Sequence, residues 1–294
     1  MSFGGQVSAP ILPEWIRGRK VRLGDLHDVK RRMRGGGLHT VCEEARCPNR
    51  GECFGRGTAT FLINGRICTR NCSYCSIAHG RPRPLDPDEP RQLCDAVRAM
   101  DLKHVVITAV DRDDLPDGGA SGFVACVESV RALADSPTIE VLTPDFRGDM
   151  TSVDRIIEAG PDVYNHNVET VPRLYRKVRR SGRYRWAMEV LARVAERAPD
   201  MLRKSGVMVG LGESRAELQD VLEDLSRAGC QLVTIGQYLQ PTPNQVPVER
   251  FWHPEEFAEL ETAGRDLGLE VFAGPFVRSS YRAEEAFLKI LQPS

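Results

Sequence analysis

Residues 59–75 read Ala59-Thr-Phe-Leu-Ile-Asn64-Gly-Arg-Ile-Cys68-Thr-Arg-Asn-Cys72-Ser-Tyr-Cys75. The first six form a short apolar run closed by Asn64-Gly65, the pattern of a buried strand running into a turn. Three cysteines follow at once in the spacing Cys-x3-Cys-x2-Cys, so the strand delivers three thiols onto one tight loop. Each can hold one iron of a cubane cluster. A 4Fe–4S cluster usually has four cysteine ligands, so this loop leaves one iron open, and an open iron can chelate a small molecule. A structural zinc site would instead want four ligands in paired spacings, and His79 is the only nearby fourth candidate.

Downstream, the strand at 59–64 opens an alternation. Further strands are expected at His104–Ala109, Thr138–Thr143, Asp162–Asn167, Gly206–Leu211 and Gln231–Gln237, with a weaker one at Leu269–Ala273. Amphipathic helices are expected at Asp88–Met100, Phe123–Ala134, Trp186–Arg197, Glu213–Ala228 and Pro254–Leu267. Asp88-Glu89-Pro90 and Pro254-Glu255-Glu256 place proline and acids in a first turn, where the missing N–H and the helix dipole favour them. Repeated strand–helix units imply right-handed crossovers. The fold expected is α/β, a partial (β/α)6 barrel of parallel strands over residues 58–268, with its chemistry at the C-terminal strand ends. Residues 1–57, with one short helix candidate at Leu26–Arg34, and residues 269–294 are expected as extensions.

The bulk numbers narrow the function classes. The chain has 294 residues, 41% hydrophobic and 28% charged, with a net charge of −1, as in an ordinary globular protein. No apolar run approaches the roughly 18 residues of a membrane span, and the N-terminus lacks the apolar core of a signal peptide. A cytoplasmic, non-membrane protein is expected. Residues 1–84 hold 15 Lys/Arg against 6 Asp/Glu, a basic third suited to an anionic partner or cofactor. Nucleic acid is not expected, because no binding-module signature accompanies the excess. Six of the nine cysteines fall between Cys42 and Cys75. An odd total in a chain without a secretion signal argues for metal rather than disulfides. Cys94, Cys126 and Cys230 are expected as small buried hydrophobes.

The Cys68–Cys75 spacing after a first strand, with an aromatic before the last cysteine, resembles the radical S-adenosylmethionine enzymes. That resemblance implies S-adenosylmethionine chelated on the open iron and cleaved to a 5′-deoxyadenosyl radical. Upstream, Cys42-Glu-Glu-Ala-Arg-Cys47-Pro-Asn-Arg-Gly-Glu-Cys53 gives a second triplet. The string LHTVCEEARCPNRGEC closely resembles the lipoyl synthase family. The likeness continues through TAVDRDDLPDGGA (108–120), YNHNVETVPRLY (164–175), KSGVMVGLGE (204–213), GQYLQPT (236–242) and AGPFVRSSY (273–281).

What the resemblance implies is specific. Cys42, Cys47 and Cys53 hold an auxiliary 4Fe–4S cluster, completed by Ser280 of Arg278-Ser279-Ser280-Tyr281, with Ser279 as the fallback. The reaction inserts two sulfur atoms, at carbons 6 and 8, into an octanoyl group on a lysine of a carrier protein. Two S-adenosylmethionine molecules are consumed, and the auxiliary cluster is the sulfur donor. Tyr74 is expected against the adenine, Thr108 and Asp111 near the methionyl amine or carboxylate, and Asn167, Glu169 and Lys204 near ribose or carboxylate. Arg278 is expected to fix the cluster loop or sense substrate. Implied partners are octanoylated carriers (the glycine cleavage H protein and the lipoyl domains of 2-oxoacid dehydrogenases) and a ferredoxin- or flavodoxin-type electron donor. Lys30-Arg31-Arg32-Met33-Arg34 is a docking candidate for an acidic carrier. Competing readings are a radical methylthiotransferase, which would be expected to bring a nucleic-acid-binding domain, and a non-enzymatic iron–sulfur or zinc protein.

Overall fold

The computed structural model describes residues 12–17, 39–40 and 59–280, together with Ala283, Glu285 and Phe287. Eight strands form one sheet in chain order. They are β1 (His39–Thr40), β2 (Ala59–Ile63), β3 (His104–Ala109), β4 (Thr138–Leu142), β5 (Val163–Asn165), β6 (Leu202–Val209), β7 (Leu232–Gln237) and β8 (Glu270–Gly274). The two-residue β1 lies antiparallel on β2, and every later neighbour is parallel. All five residues of β2 and all six of β7 are buried, as strands covered on both faces must be.

One principal helix bridges each consecutive pair from β2 to β8: α1 (Glu89–Ala99), α2 (Ala120–Arg131), α3 (Met150–Glu158), α4 (Tyr184–Arg197), α5 (Arg215–Arg227) and α6 (Pro254–Asp266). The result is six strand–helix units closed by a seventh parallel strand, the partial barrel that the alternation implied. The weak candidate at 269–273 is that last strand, five residues in register with β7. It therefore belongs to the sheet, which runs to Gly274 rather than stopping at 268.

Two apolar clusters flank the sheet. One joins β2–β4 to α1–α3 through residues such as Ile107, Phe123 and Ile156; the other joins β6–β8 to α5 and α6 through Val207, Leu222 and Phe257. Cys126 and Cys230 are buried within these clusters, and Cys94 is buried beside them, its thiol donating to the Ser129 carbonyl at 3.3 Å. Burial pushes all three thiols up, as expected of inert core cysteines. Among the described residues, no helix is long and apolar enough to cross a membrane. The helix candidate at 26–34, the basic run Lys30–Arg34 and the triplet Cys42, Cys47 and Cys53 lie outside the described residues.

Candidate metal and cofactor centre

The parallel strands all end on one side, and the Cys68–Cys75 loop leaves β2 there. Backbone bonds fix the loop at several points. Cys68 N donates to the Ala78 carbonyl at 2.9 Å, Thr69 N to that of Asp111 at 3.0 Å, and Ser73 N to that of Val178 at 3.0 Å. The side chain of Arg70 is 1% exposed. Its Nε and Nη2 donate to Asp113 at 2.8 and 2.9 Å, and its Nη1 and Nη2 to Asp145 at 3.0 and 2.7 Å. A planar fork can hold two carboxylates in this way, and an ammonium cannot. Burial works against the charge on Arg70, but Asp113 and Asp145 outweigh it and hold the guanidinium protonated. One buried arginine thus pins the cysteine loop to the ends of β3 and β4.

Above the strand ends lies a cavity of about 500 Å³. Cys68, Cys72 and Cys75 all line it, partly exposed and free of disulfides. Burial, with the charge of Asp111 next, pushes Cys68 and Cys72 up to about 12, and burial likewise raises Cys75. Without metal these groups are thiols, and iron must displace their protons to bind. Among the described residues, no three His, Cys, Asp or Glu side chains converge on a single metal position. In a cluster each thiolate takes a different iron, whereas a structural zinc gathers four ligands on one ion.

The polar groups around the cavity suit a zwitterionic cofactor. Tyr74, Thr108, Asp111, Asn167 and Glu169 all line it. Thr108 is committed, its hydroxyl donating to the Leu142 carbonyl at 2.8 Å. Asn167 Oδ1 is buried and without a hydrogen-bond partner, and Asp111 Oδ1 is likewise without a hydrogen bond, although Arg70 Nη1 lies 3.2 Å away. The orphaned Asn167 acceptor at a polar cavity is a place where a ligand amine or hydroxyl would be satisfied, whereas Asp111 Oδ1 is ion-paired with Arg70. Glu169 holds a positive φ of 69°, strain that local structure must sustain. It is sustained by Glu169 N donating to Gly206 O, and Met208 N to Glu169 O, both at 2.9 Å. Burial raises Glu169, against the nearby charge of Arg179 and hydrogen bonds from Asn167 and Tyr74.

The C-terminal motif arrives at the same place. Arg278, Ser279 and Ser280 line the cavity, and Asn167 Nδ2 donates to Ser279 Oγ at 3.0 Å. Gly236 makes this approach possible, because a Cβ there would collide with the Val277 carbonyl.

Lys204 is placed elsewhere. It is fully buried inside the barrel, and its ammonium donates to both Glu140 oxygens, at 2.9 and 3.1 Å. It does not line the cavity, so the expected cofactor contact is not where Lys204 lies. Two residues that the sequence did not single out are prominent here. One is Arg70. The other is the buried Arg179, which lines the cavity, donates to Asn167 O at 2.9 Å and lies 3.5 Å from Asp145. Arg179 was hidden in a run of arginines where nothing marks the one that turns inward. Cys42, Cys47 and Cys53, expected to hold an auxiliary cluster with Ser280 or Ser279, lie outside the described residues, so of that expected set only the two serines are placed.

A parallel barrel with a three-cysteine loop at its C-terminal face defines a class. Residues 62–225 match the family model described as the radical SAM superfamily. Solved structures agree on the fold. Methylornithine synthase (PylB) superposes with a TM-score of 0.54 at 15% identity, over 88% of this chain and 83% of that one. The hydrogenase maturase HydG gives 0.58 at 16% identity over 74% of this chain, a match spanning about half (51%) of its own length. Closer relatives are the lipoyl synthases of Nitrosococcus oceani, 52% identical over 92% of this chain and 85% of theirs, and of Thioalkalivibrio sulfidiphilus, 51% identical over 95% and 88%. The chain belongs to the lipoyl synthase family. It is an enzyme that transfers sulfur, with 4Fe–4S clusters and S-adenosylmethionine as its cofactors.

Proposed function

We propose that Cys68, Cys72 and Cys75 hold the cluster that binds S-adenosylmethionine, and that Cys42, Cys47, Cys53 and Ser280 hold the auxiliary cluster. The substrate is an octanoyl-lysine on a carrier protein, which gains sulfur at carbons 6 and 8. One observation carries this reading: a single cavity gathers the cysteine loop and Ser280, which lie more than 200 residues apart in sequence. When bound, the groups supply a primary carbon radical and a source of sulfur, neither of which a side chain can provide.

The chain's own residues bind and orient. Arg70 holds the cysteine loop against the ends of β3 and β4. Asp111 faces Cys68, its Oδ2 3.7 Å from Sγ, where an ammonium would be attracted. Arg179 supplies the positive charge that a carboxylate needs in a site of low dielectric. Asn167 offers Oδ1 to a ribose hydroxyl while its amide steadies Ser279. Leu62, Val110, Leu142, Val207 and Met208 give the cavity an apolar wall, suited to an eight-carbon acyl chain. Ser280 is assigned over Ser279 because Ser279 already accepts from Asn167. The partners proposed are octanoylated H protein and lipoyl domains, with a ferredoxin- or flavodoxin-type donor, in the cytoplasm.

The test is anaerobic incubation of reconstituted enzyme, reductant and S-adenosylmethionine with an octanoyl-lysyl peptide, followed by mass measurement of the product. A gain of two sulfurs in place of two hydrogens is expected. A peptide that never gains sulfur, with both clusters intact, would overturn the proposal.

A further inference from the structure

Between Glu169 and Glu189 the chain carries seven cations, Arg173, Arg176, Lys177, Arg179, Arg180, Arg183 and Arg185, and no acid. Only Arg179 turns inward. Many exposed arginines elsewhere have an acid partner, as Arg91 has Asp95, Arg131 Asp162, Arg193 Asp154 and Arg227 Asp224. Scattered ones such as Arg81, Arg147 and Arg265 are exposed without one among the described residues; what sets this segment apart is that its unpaired arginines are clustered. In this segment Arg173 pairs with Glu217 and Lys177 with Glu249. Arg176 and Arg180 are exposed and engaged in no ion pair among the described residues. With Arg183 they surround a surface pocket of about 430 Å³ that Tyr175 and Tyr184 also line. Unmatched cations beside aromatic rings, around a concavity, are the composition of a recognition surface rather than of a merely solvated face.

The location gives the surface its meaning. Ser73, next to Cys72, donates from its hydroxyl to the Lys177 carbonyl at 2.8 Å and from its N–H to that of Val178 at 3.0 Å. A Cβ on Gly182 would sit 2.9 Å from the Arg179 side chain, so the turn at 179–182 closes directly over the arginine that lines the cavity. Residues 173–183 therefore form a wall, with the cofactor cavity on one side and the basic pocket on the other. A substrate tethered to a protein must bring that protein to the rim of this wall.

We propose that Arg176, Arg180 and Arg183 form the docking surface for an acidic protein domain, the carrier whose acyl-lysine arm enters the adjoining cavity. This rests on the carrier-bound substrate proposed above. Charges at the rim of an interface govern encounter and salt dependence more than chemistry. The surface should therefore act on KM for a protein substrate and leave kcat alone.

The test uses the reconstituted holoenzyme with two substrates, an octanoylated acidic carrier domain and a short octanoyl-lysyl peptide of neutral charge. Arg176→Glu/Arg180→Glu should raise KM for the carrier at least about tenfold, with kcat and the peptide kinetics unchanged. Arg176→Ala/Arg180→Ala should give a smaller rise, and Arg265→Glu, on the remote helix α6, none. Added salt should raise the wild-type KM for the carrier and flatten the difference between wild type and variant. A wild-type enzyme that leaves the peptide unchanged overturns the proposed reaction, and the docking with it. Wild-type turnover with equal changes on both substrates, or with none on the carrier, overturns the docking alone. So does salt-sensitive binding of RNA at these arginines with no competition by the carrier.

Discussion

Both carboxylate oxygens of Glu140 accept from the Lys204 ammonium, at 2.9 and 3.1 Å, and Asn165 Nδ2 donates to Oε1 at 2.8 Å. His104 Nε2 lies 3.4 Å from Oε2. Glu140, Lys204 and His104 are each 2% exposed or less, so none can fall back on water. Burial would raise the Glu140 carboxyl, but Lys204 and His104 outweigh it and hold it at about 2. Removing one member of such a pair strands the other. Lys204→Met is expected to cost about 3–5 kcal/mol in denaturant unfolding, and adding Glu140→Leu should recover most of the loss. The pH sign follows from the depressed carboxyl. Its contribution is present above the ordinary value of 4.5 and is lost as pH falls toward about 2. Across that window the melting temperature of the wild type should fall more steeply than that of Glu140→Gln, which starts lower but carries no such titration. Arg70 gives a second prediction at this scale. Arg70→Lys reaches one carboxylate where the guanidinium holds Asp113 and Asp145 together, so iron retained after gel filtration should drop while the far-ultraviolet circular dichroism is unchanged. Full retention would show that the fork is dispensable.

Among the elements, β6 shows what periodicity could and could not disclose. Its glycine-flanked run at 206–211 reads as a strand, but the strand begins four residues earlier, through Arg203, Lys204 and Ser205. Those polar residues look like a loop because the partners that permit their burial, Glu140 and the Gly229 carbonyl among them, are distant in sequence. The sequence therefore gives no sign that Lys204 lies within the strand, on Glu140, rather than beside the cofactor. Helix α3 is hard to read in the sequence for a different reason: at nine residues it is short, although Asp149 accepts from Thr151 N as an N-cap. The turn after β6 is better marked. Glu213 accepts from Gly210 N at 2.6 Å, Leu211 N at 2.9 Å and Trp252 Nε1 at 2.9 Å, so one buried carboxylate ends the strand and ties it to the segment before α6. Gln in its place has one acceptor oxygen and no charge. Glu213→Gln should therefore lower stability by about 1.5–3 kcal/mol, read from thermal unfolding. Ser214→Ala, which removes the hydroxyl accepting from Glu217 N at the next residue, should cost about 1 kcal/mol.

At the scale of the whole molecule, the strand ends act as a collecting surface for residues remote in sequence. The strand-then-cysteine pattern disclosed that surface and the three cysteines proposed as its first ligands, because both are local. The inward turn of Arg179 is not local, and neither is the convergence of the C-terminal motif on the cavity. That convergence depends on a close approach of backbones: β7 passes under Val277 only because residue 236 lacks a Cβ. Gly236 lines the cavity itself and is paired in register with Gly274 of β8, so neither neighbouring strand can retreat without breaking the sheet. Gly236→Ala is therefore expected to lift residues 277–280 rather than to distort β7. The cysteine loop is fixed by Arg70 and by bonds from residues 68, 69 and 73, none of which involves residues 277–280, so it should be spared. Reconstituted Gly236→Ala should then carry about four iron atoms per chain where the wild type carries about eight, one cubane instead of two. It should still cleave S-adenosylmethionine under reducing conditions, while sulfur transfer to the octanoyl peptide is lost. A Gly236→Ala enzyme that keeps the full iron complement would place the auxiliary cluster's fourth ligand somewhere other than Ser280.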